Sequence, residues 1–73
     1  MKIQIVIHNP HKNIVMHVKN TRDINPCVYD ALTDHGVDDE LAIDCACWCE
    51  LADYGDSYNE ENFDVYIEED DLL

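Results

Sequence analysis

The stretch KIQIVIHNPHKNIVMHVK, Lys2 to Lys19, alternates twice, and its reading decides the fold. Ile3, Ile5 and Ile7 share one face of an extended chain; Lys2, Gln4, Val6 and His8 share the other. Period-two alternation of this kind is a strand with one buried side. Ile14 to Lys19 repeats it, with Ile14, Met16 and Val18 on one side. Asn9-Pro10-His11-Lys12-Asn13 is turn material. Pairing Ile7 with Ile14, Ile5 with Met16 and Ile3 with Val18 keeps all six apolar side chains together, and leaves residues 9–12 as a four-residue hairpin loop. A one-residue slip would turn one strand's apolar set outward.

Working outward, Asn25-Pro26 reads as an N-cap with Pro at the first helical position, where its missing N–H costs nothing. That helix runs to His35 with Gly36 as its C-terminal cap and Val28, Ala31 and Leu32 as its apolar side. Asp38 reads as a second N-cap, with Asp39 and Glu40 at the positive end of the helix dipole. The second helix is expected to reach about Tyr54, with Gly55 stopping it. Leu41, Cys45, Trp48 and Ala52 form its stripe, with Cys49 and Leu51 at the edges. Asp56 to Asn62 is a polar loop. Phe63 to Glu68 alternates again, with Phe63, Val65 and Ile67 inward and Asp64, Tyr66 and Glu68 outward. Residues 69–73 are expected to be a loose tail. The fold class is therefore α+β: a three-stranded, mainly antiparallel sheet with two helices on one face. The place of the last strand beside the first or the second stays open.

Seventy-three residues are read as one domain. A chain this short buries only roughly 60% of its unfolded surface, which leaves little room for a deep substrate cavity. Hydrophobic content of 47% argues against disorder. No apolar run is long enough for a membrane span or a signal peptide, so the expected setting is cytosolic.

Charge is sorted along the chain. Residues 1–22 hold all four Lys and Arg and no acid; residues 23–73 hold all seventeen Asp and Glu and neither Lys nor Arg. The halves carry +4 and −17, which sum to the net −13.

Cys27, Cys45, Cys47 and Cys49 read as reduced thiols. A C-x-C-x-C run invites a zinc or copper site. At about 100° per residue, however, Cys45 and Cys49 share a helix face and Cys47 points nearly opposite. Buried Cys is a small hydrophobe, and Cys47 is the thiol expected to be exposed. His8 and His17 fall on the outer face of the hairpin and His11 in its turn, where His8 and His11 approach each other without a third metal ligand. His35 suits a helix C-terminus. No Gly-rich phosphate loop exists, since the only glycines are Gly36 and Gly55. Asp53 to Asp64 lacks the central Gly and spaced ligands of an EF-hand. The Glu68-to-Leu73 end fits a dileucine sorting pattern but has no membrane segment to act from. No catalytic residue, metal or cofactor is assigned.

What remains is the acid. Glu50, Asp53, Asp56, Glu60, Glu61, Asp64 and Glu68, with Tyr58 and Tyr66 among them, are the candidate partner-binding residues. Glu69, Asp70, Asp71 and Tyr54 lie in the same acidic run. Such acidity serves solubility in many proteins. It also imitates a phosphate backbone, whose charge dominates nucleic-acid binding, and tyrosines are low-entropy interface anchors. The small size, the acidity and the run DYGDSYNEENFDVYIEEDD resemble the small phage and mobile-element proteins that inhibit bacterial defence, such as anti-CRISPR proteins and DNA-mimic antirestriction proteins. The resemblance is one of size and composition across the whole chain, and no residue roles carry over. It implies a non-enzymatic inhibitor that docks on a basic nucleic-acid-binding protein, for example a CRISPR effector or a restriction enzyme, with no direct nucleic acid or membrane contact. Two alternatives stand beside it: a metal- or redox-responsive module built on the four Cys, and a self-associating acidic domain, as a homodimer, in which Lys2, Lys12, Lys19 and Arg22 of one copy meet the acids of another.

Overall fold

Ile3, Ile5, Ile7, Phe63, Val65 and Ile67 are all 5% exposed or less, so the alternation read from the first and last strands holds. The computed structural model describes residues 1–70. Its elements are β1 (Lys2–His8), β2 (His11–His17), a 3₁₀ turn (Thr21–Asp23), α1 (Ile24–Asp34), α2 (Asp39–Leu51), β3 (Ser57–Asn59) and β4 (Phe63–Glu68). The fold is α+β, with a four-stranded antiparallel sheet in the order β2-β1-β4-β3 and two α-helices. Met1–Val18 and residues 53–70 form one compact unit, the sheet; Lys19–Ala52 form the other, the helices.

In the sheet, β4 lies beside β1, which settles the strand order that the sequence left open. Two expectations are corrected. β2 begins at His11 rather than Ile14, and a two-residue turn, Asn9-Pro10 with a cis peptide bond, replaces the four-residue loop. The register pairs Ile5 with Ile14, Ile3 with Met16 and His8 with His11. This differs from the expected register by two residues. A shift of two returns every side chain to the same face, so burial patterning cannot detect it.

The second correction is the fourth strand. Ser57–Asn59 falls inside the expected loop and pairs with β4, Tyr58 opposite Val65. A three-residue strand carries too little alternation to be seen. Just before it, the Gly55 N–H and the Asp56 carbonyl both bond to Ile67, at 2.8 and 3.0 Å, so two residues of one strand face one of the other. This is a β-bulge with glycine at its left-handed position, φ +93°.

The hydrogen bonds also fix which way β2 faces. Val18 N–H donates to the Met1 carbonyl at 2.8 Å and the Met1 amine to that of Val18 at 3.1 Å. Stepping the register in twos, His11, Asn13, Val15 and His17 aim their backbone groups away from β1, to the sheet edge.

In the helical unit, α1 starts at Ile24, so Asn25 lies inside the helix rather than capping it. Pro26 still falls in the first turn, where no intrahelical partner is lost. Ile24, Val28 and Leu32, spaced by four, are buried. At the other end Val37 N–H bonds to Leu32 O and Gly36 N–H to Thr33 O, a Schellman cap with Gly36 at φ +84°. α2 ends at Leu51 instead of Tyr54, because Ala52 is already extended and Asp53–Asp56 form a turn with an Asp56 N–H to Asp53 O bond of 3.1 Å. Its buried stripe is Ala42, Cys45, Ala46 and Cys49, not Leu41, Cys45, Trp48 and Ala52. The small side chains are the buried ones; Leu41, Trp48 and Ala52 are half-buried. α1 and α2 pack on each other, and the Tyr29 hydroxyl donates to the Asp39 carboxylate in the first turn of α2. That carboxylate holds the Tyr29 phenol above its ordinary pKa.

The two faces of the hairpin differ enough to test. Ile5→Ala should cost roughly 2–5 kcal/mol, whereas Val15→Ala, at a side chain 48% exposed, should stay within about 0.5 kcal/mol. Urea denaturation monitored by Trp48 fluorescence reads both. Equal losses would contradict the assignment of faces.

Candidate functional site

Eight of the nine candidate residues belong to the sheet unit, on β3, β4 and the segments that flank them. Glu50 is the ninth; it is exposed in the last turn of α2 and belongs to the helical unit. Asp53, Asp56 and Glu61 are exposed, and Glu60, Asp64 and Glu68 half-buried. The sheet order turns the sorting of charge along the chain into a sorting across the sheet. β2, at one edge, carries Lys12 and no acid; β3, at the other, is flanked by Asp56, Glu60 and Glu61.

The acids differ in what they already hold. Asp64 is the most engaged. It accepts a hydrogen bond from Asn59 Nδ2 at 2.9 Å and sits 2.7 Å from His8 Nε2. The other ring nitrogen of His8, Nδ1, donates to the Glu61 carbonyl at 3.0 Å. Both imidazole nitrogens therefore face acceptors, an arrangement that suits the imidazolium. The Asp64 hydrogen bond, then the Glu61 carbonyl, raise the His8 pKa above its ordinary 6.5. The Asn59 hydrogen bond, then His8, lower that of Asp64 below 3.8. With both nitrogens occupied, His8 has none free to take a proton from a substrate.

Asp56 is also partly engaged, since its carboxylate accepts the Asp53 N–H at 3.0 Å and closes the turn. Asp70, expected in a loose tail, bonds to the Met1 amine at 2.6 Å and lies 3.1 Å from His17 Nδ1, with the amine and then His17 depressing its pKa. Residues 71–73, the rest of that tail and the leucines of the sorting pattern, lie outside the described residues. Tyr58 is not a free anchor, because its ring stacks on Phe63 at 6.3 Å between centroids. Tyr66 is 37% exposed and Tyr54 55%. Tyr54 was read with the acidic run but not as a binding residue, and its place in the exposed turn adds it to the surface.

A pocket of about 360 Å³ opens on the sheet unit, lined by Gln4, Gly55, Asp56, Tyr66, Ile67 and Glu68. Glu68, one of the lining residues, has its Oε1 buried without a hydrogen-bond partner. Gln4, Gly55, His8 and Asn59 were not among the candidates. Their roles depend on β1 lying beside β4 and on the bulge, neither of which leaves a local signal in sequence.

The thiols follow the helical period. Cys45 and Cys49 are buried, while Cys27 and Cys47 are exposed. Asn25 Nδ2 reaches Cys47 Sγ at 3.5 Å. Among the described residues, no three of His, Cys, Asp and Glu are grouped to hold a metal ion, and no helix is long and apolar enough to cross a membrane.

Compared with known proteins, the chain matches no family model, no curated protein and no solved structure.

The His8–Asp64 pair makes stability depend on pH in a definite sense. The raised His8 pKa contributes stability fully below pH 6.5 and loses it as pH rises through the raised value; the lowered Asp64 pKa contributes above 3.8 and loses it as pH falls through the lowered value. The contribution is therefore greatest between the two. In Asp64→Asn the His8 pKa should fall toward 6.5 when its ring protons are titrated by NMR. An unchanged His8 titration would mean that the pair does not form.

Proposed function

We propose that this protein is a non-enzymatic binding protein whose acidic β3–β4 edge docks on the nucleic-acid-binding surface of a basic partner and blocks it. One observation carries the reading: within the sheet unit, Asp56, Glu60 and Glu61 flank β3 at the edge opposite β2, whose own strand carries Lys12 and no acid. A surface of this kind presents carboxylates where a nucleic acid presents phosphates. The exposed Tyr54 and Tyr66 supply aromatic contact area beside them. A field of this sign steers a cationic partner into encounter and is screened by salt beyond roughly 8 Å at physiological ionic strength.

The partner class follows from the chemistry: a protein with a Lys- and Arg-lined groove for DNA or RNA, of which a CRISPR effector or a restriction enzyme is an example. The contact residues are Asp53, Asp56, Glu60, Glu61, Tyr66 and Glu68, with Tyr54 added. Asp64 and Tyr58 act behind them, Asp64 by fixing His8 and Asn59, Tyr58 by its stack on Phe63. The setting proposed is the cytosol, where such partners work. The thiol module has less support, because two of its four Cys are buried.

Asp53, Glu60 and Glu61 are the acids to reverse, since among the described residues the side-chain hydrogen bonds of this region go to the carboxylates of Asp56 and Asp64 instead. The purified protein, used as bait at about 0.1 M salt, should retain a basic nucleic-acid-binding protein. That protein should be displaced by added duplex, released at several-fold higher salt, and not retained by Asp53→Lys/Glu60→Lys/Glu61→Lys. Retention of nothing, or of a protein indifferent to salt, duplex and the triple substitution, would overturn the proposal and leave the acid to solubility. Concentration-dependent self-association at low salt would favour a homodimer instead.

A further inference from the structure

The acidic edge leaves the other end of the sheet unused. β2 is the terminal strand there, bonded to β1 on one side. In the register set by the Met1–Val18 pair, His11, Asn13, Val15 and His17 turn their backbone N–H and C=O groups away from β1. An edge of seven residues with groups so spaced is a template that an extended chain completes. A helix cannot complete it, because its own backbone groups are already bonded to one another.

The side chains specify what the incoming chain must carry. Asn13 Oδ1 accepts a hydrogen bond from Gln4 Nε2 at 3.1 Å, and His17 Nδ1 lies 3.1 Å from Asp70 Oδ1. Both are thereby drawn toward the β1 side and off the edge. Val15, between them, is 48% exposed. On the opposite face Ile14 and Met16 are only half-buried, although Ile5 and Ile3, their partners on β1, are fully buried. The apolar row thus reaches the edge without a closing member. Lys12 stands in the same row, across from Ile7, and β2 holds no acid.

We propose that the β2 edge receives an extended segment of a partner protein as a fifth, antiparallel strand, its apolar residues facing Ile14 and Met16 and a carboxylate facing Lys12. This role stands apart from the docking proposed above. The strand β3 that its acids flank lies three strand spacings from β2, roughly 14 Å, which exceeds the Debye length of about 8 Å. Those acids therefore do not bar a carboxylate from the β2 edge. Asp70, beside His17, is already held by the Met1 amine. A second copy of the chain fits less well. Pairing β2 with β2 would set two bodies of net −13 side by side and bring no carboxylate to Lys12.

The test uses the whole ¹⁵N-labelled protein and the N-acetylated, C-amidated peptide TVTVTET, read by NMR shifts and amide hydrogen exchange. Laid antiparallel, its two Val face Met16 and Ile14 and its Glu faces Lys12. Saturable binding is expected, with exchange slowed at the alternate amides of His11, Asn13, Val15 and His17. The peptide TVTVTKT should bind more weakly, by up to about fivefold. Lys12→Glu, at an exposed side chain, should reverse the order of the two peptides. Val15→Pro removes one outward N–H and no bond to β1, and should weaken both. Failure of both peptides to slow exchange at the four alternate amides would overturn the proposal. So would slowing that ignores the alternation, or a peptide preference that Lys12→Glu leaves unchanged. Slowed exchange that appears without peptide and grows with protein concentration would give the edge to a second copy and overturn it as well.

Discussion

Ile3, Ile5 and Ile7 of β1 are the constraint on which the sheet depends. β1 is hydrogen-bonded on both sides, to β2 and to β4, and its apolar row is 5% exposed or less. Every strand must therefore present its own apolar residues on that face. Met16 and Ile14 do so opposite Ile3 and Ile5, and Ile67, Val65 and Phe63 do so opposite Ile3, Ile5 and Ile7. Because side chains alternate, fixing one face fixes the other. The outward positions of β1 and β4, among them Gln4, His8, Asp64, Tyr66 and Glu68, are where polar and charged groups are allowed to gather. The candidate site is in this sense the complement of the isoleucine row.

The same geometry explains why the acids are not equivalent. Pairing β1 with β4 sets His8 against Asp64, and pairing β3 with β4 sets Asn59 against it, so this carboxylate is spent on holding the sheet's outer face in order. Glu68, one end of the same strand, lies beside the bulge and keeps an oxygen without a donor. Two acids four residues apart on one strand thus differ in their chemical situations, one held by two side chains and one with an oxygen that receives no hydrogen bond. Counting acidic residues treats them alike.

This difference shows how much was legible beforehand. The strands Lys2–His8 and Phe63–Glu68, two helices, the capping role of Gly36 and the exposure of Cys47 all follow from periods and local backbone chemistry. The hairpin register did not, since sliding β2 by two residues preserves its faces. The stripe of α2 was misread because Leu41 and Trp48 are the large apolar residues, while Ala42, Cys45, Ala46 and Cys49 are the ones buried. Gly55 was read as a helix stop, and only the pairing of β3 with β4 reveals it as the bulge that opens a pocket. The acids were legible as composition; their separation across the sheet needed the strand order.

One feature of the fold also bears on how the protein stays dispersed. β2 is a seven-residue edge with no acid and no proline, and at four alternate positions its backbone groups point outward. Natural sheets blunt such edges with charges, bulges or shortness. The far edge has all three: β3 spans three residues, follows the bulge and is flanked by carboxylates. β2 has only Lys12. What keeps two copies from zipping together there is long-range repulsion between bodies that each carry −13. That guard belongs to the whole molecule rather than to the strand. It fades as pH approaches the isoelectric point of about 4.2, where the edge is left with Lys12 as its own guard.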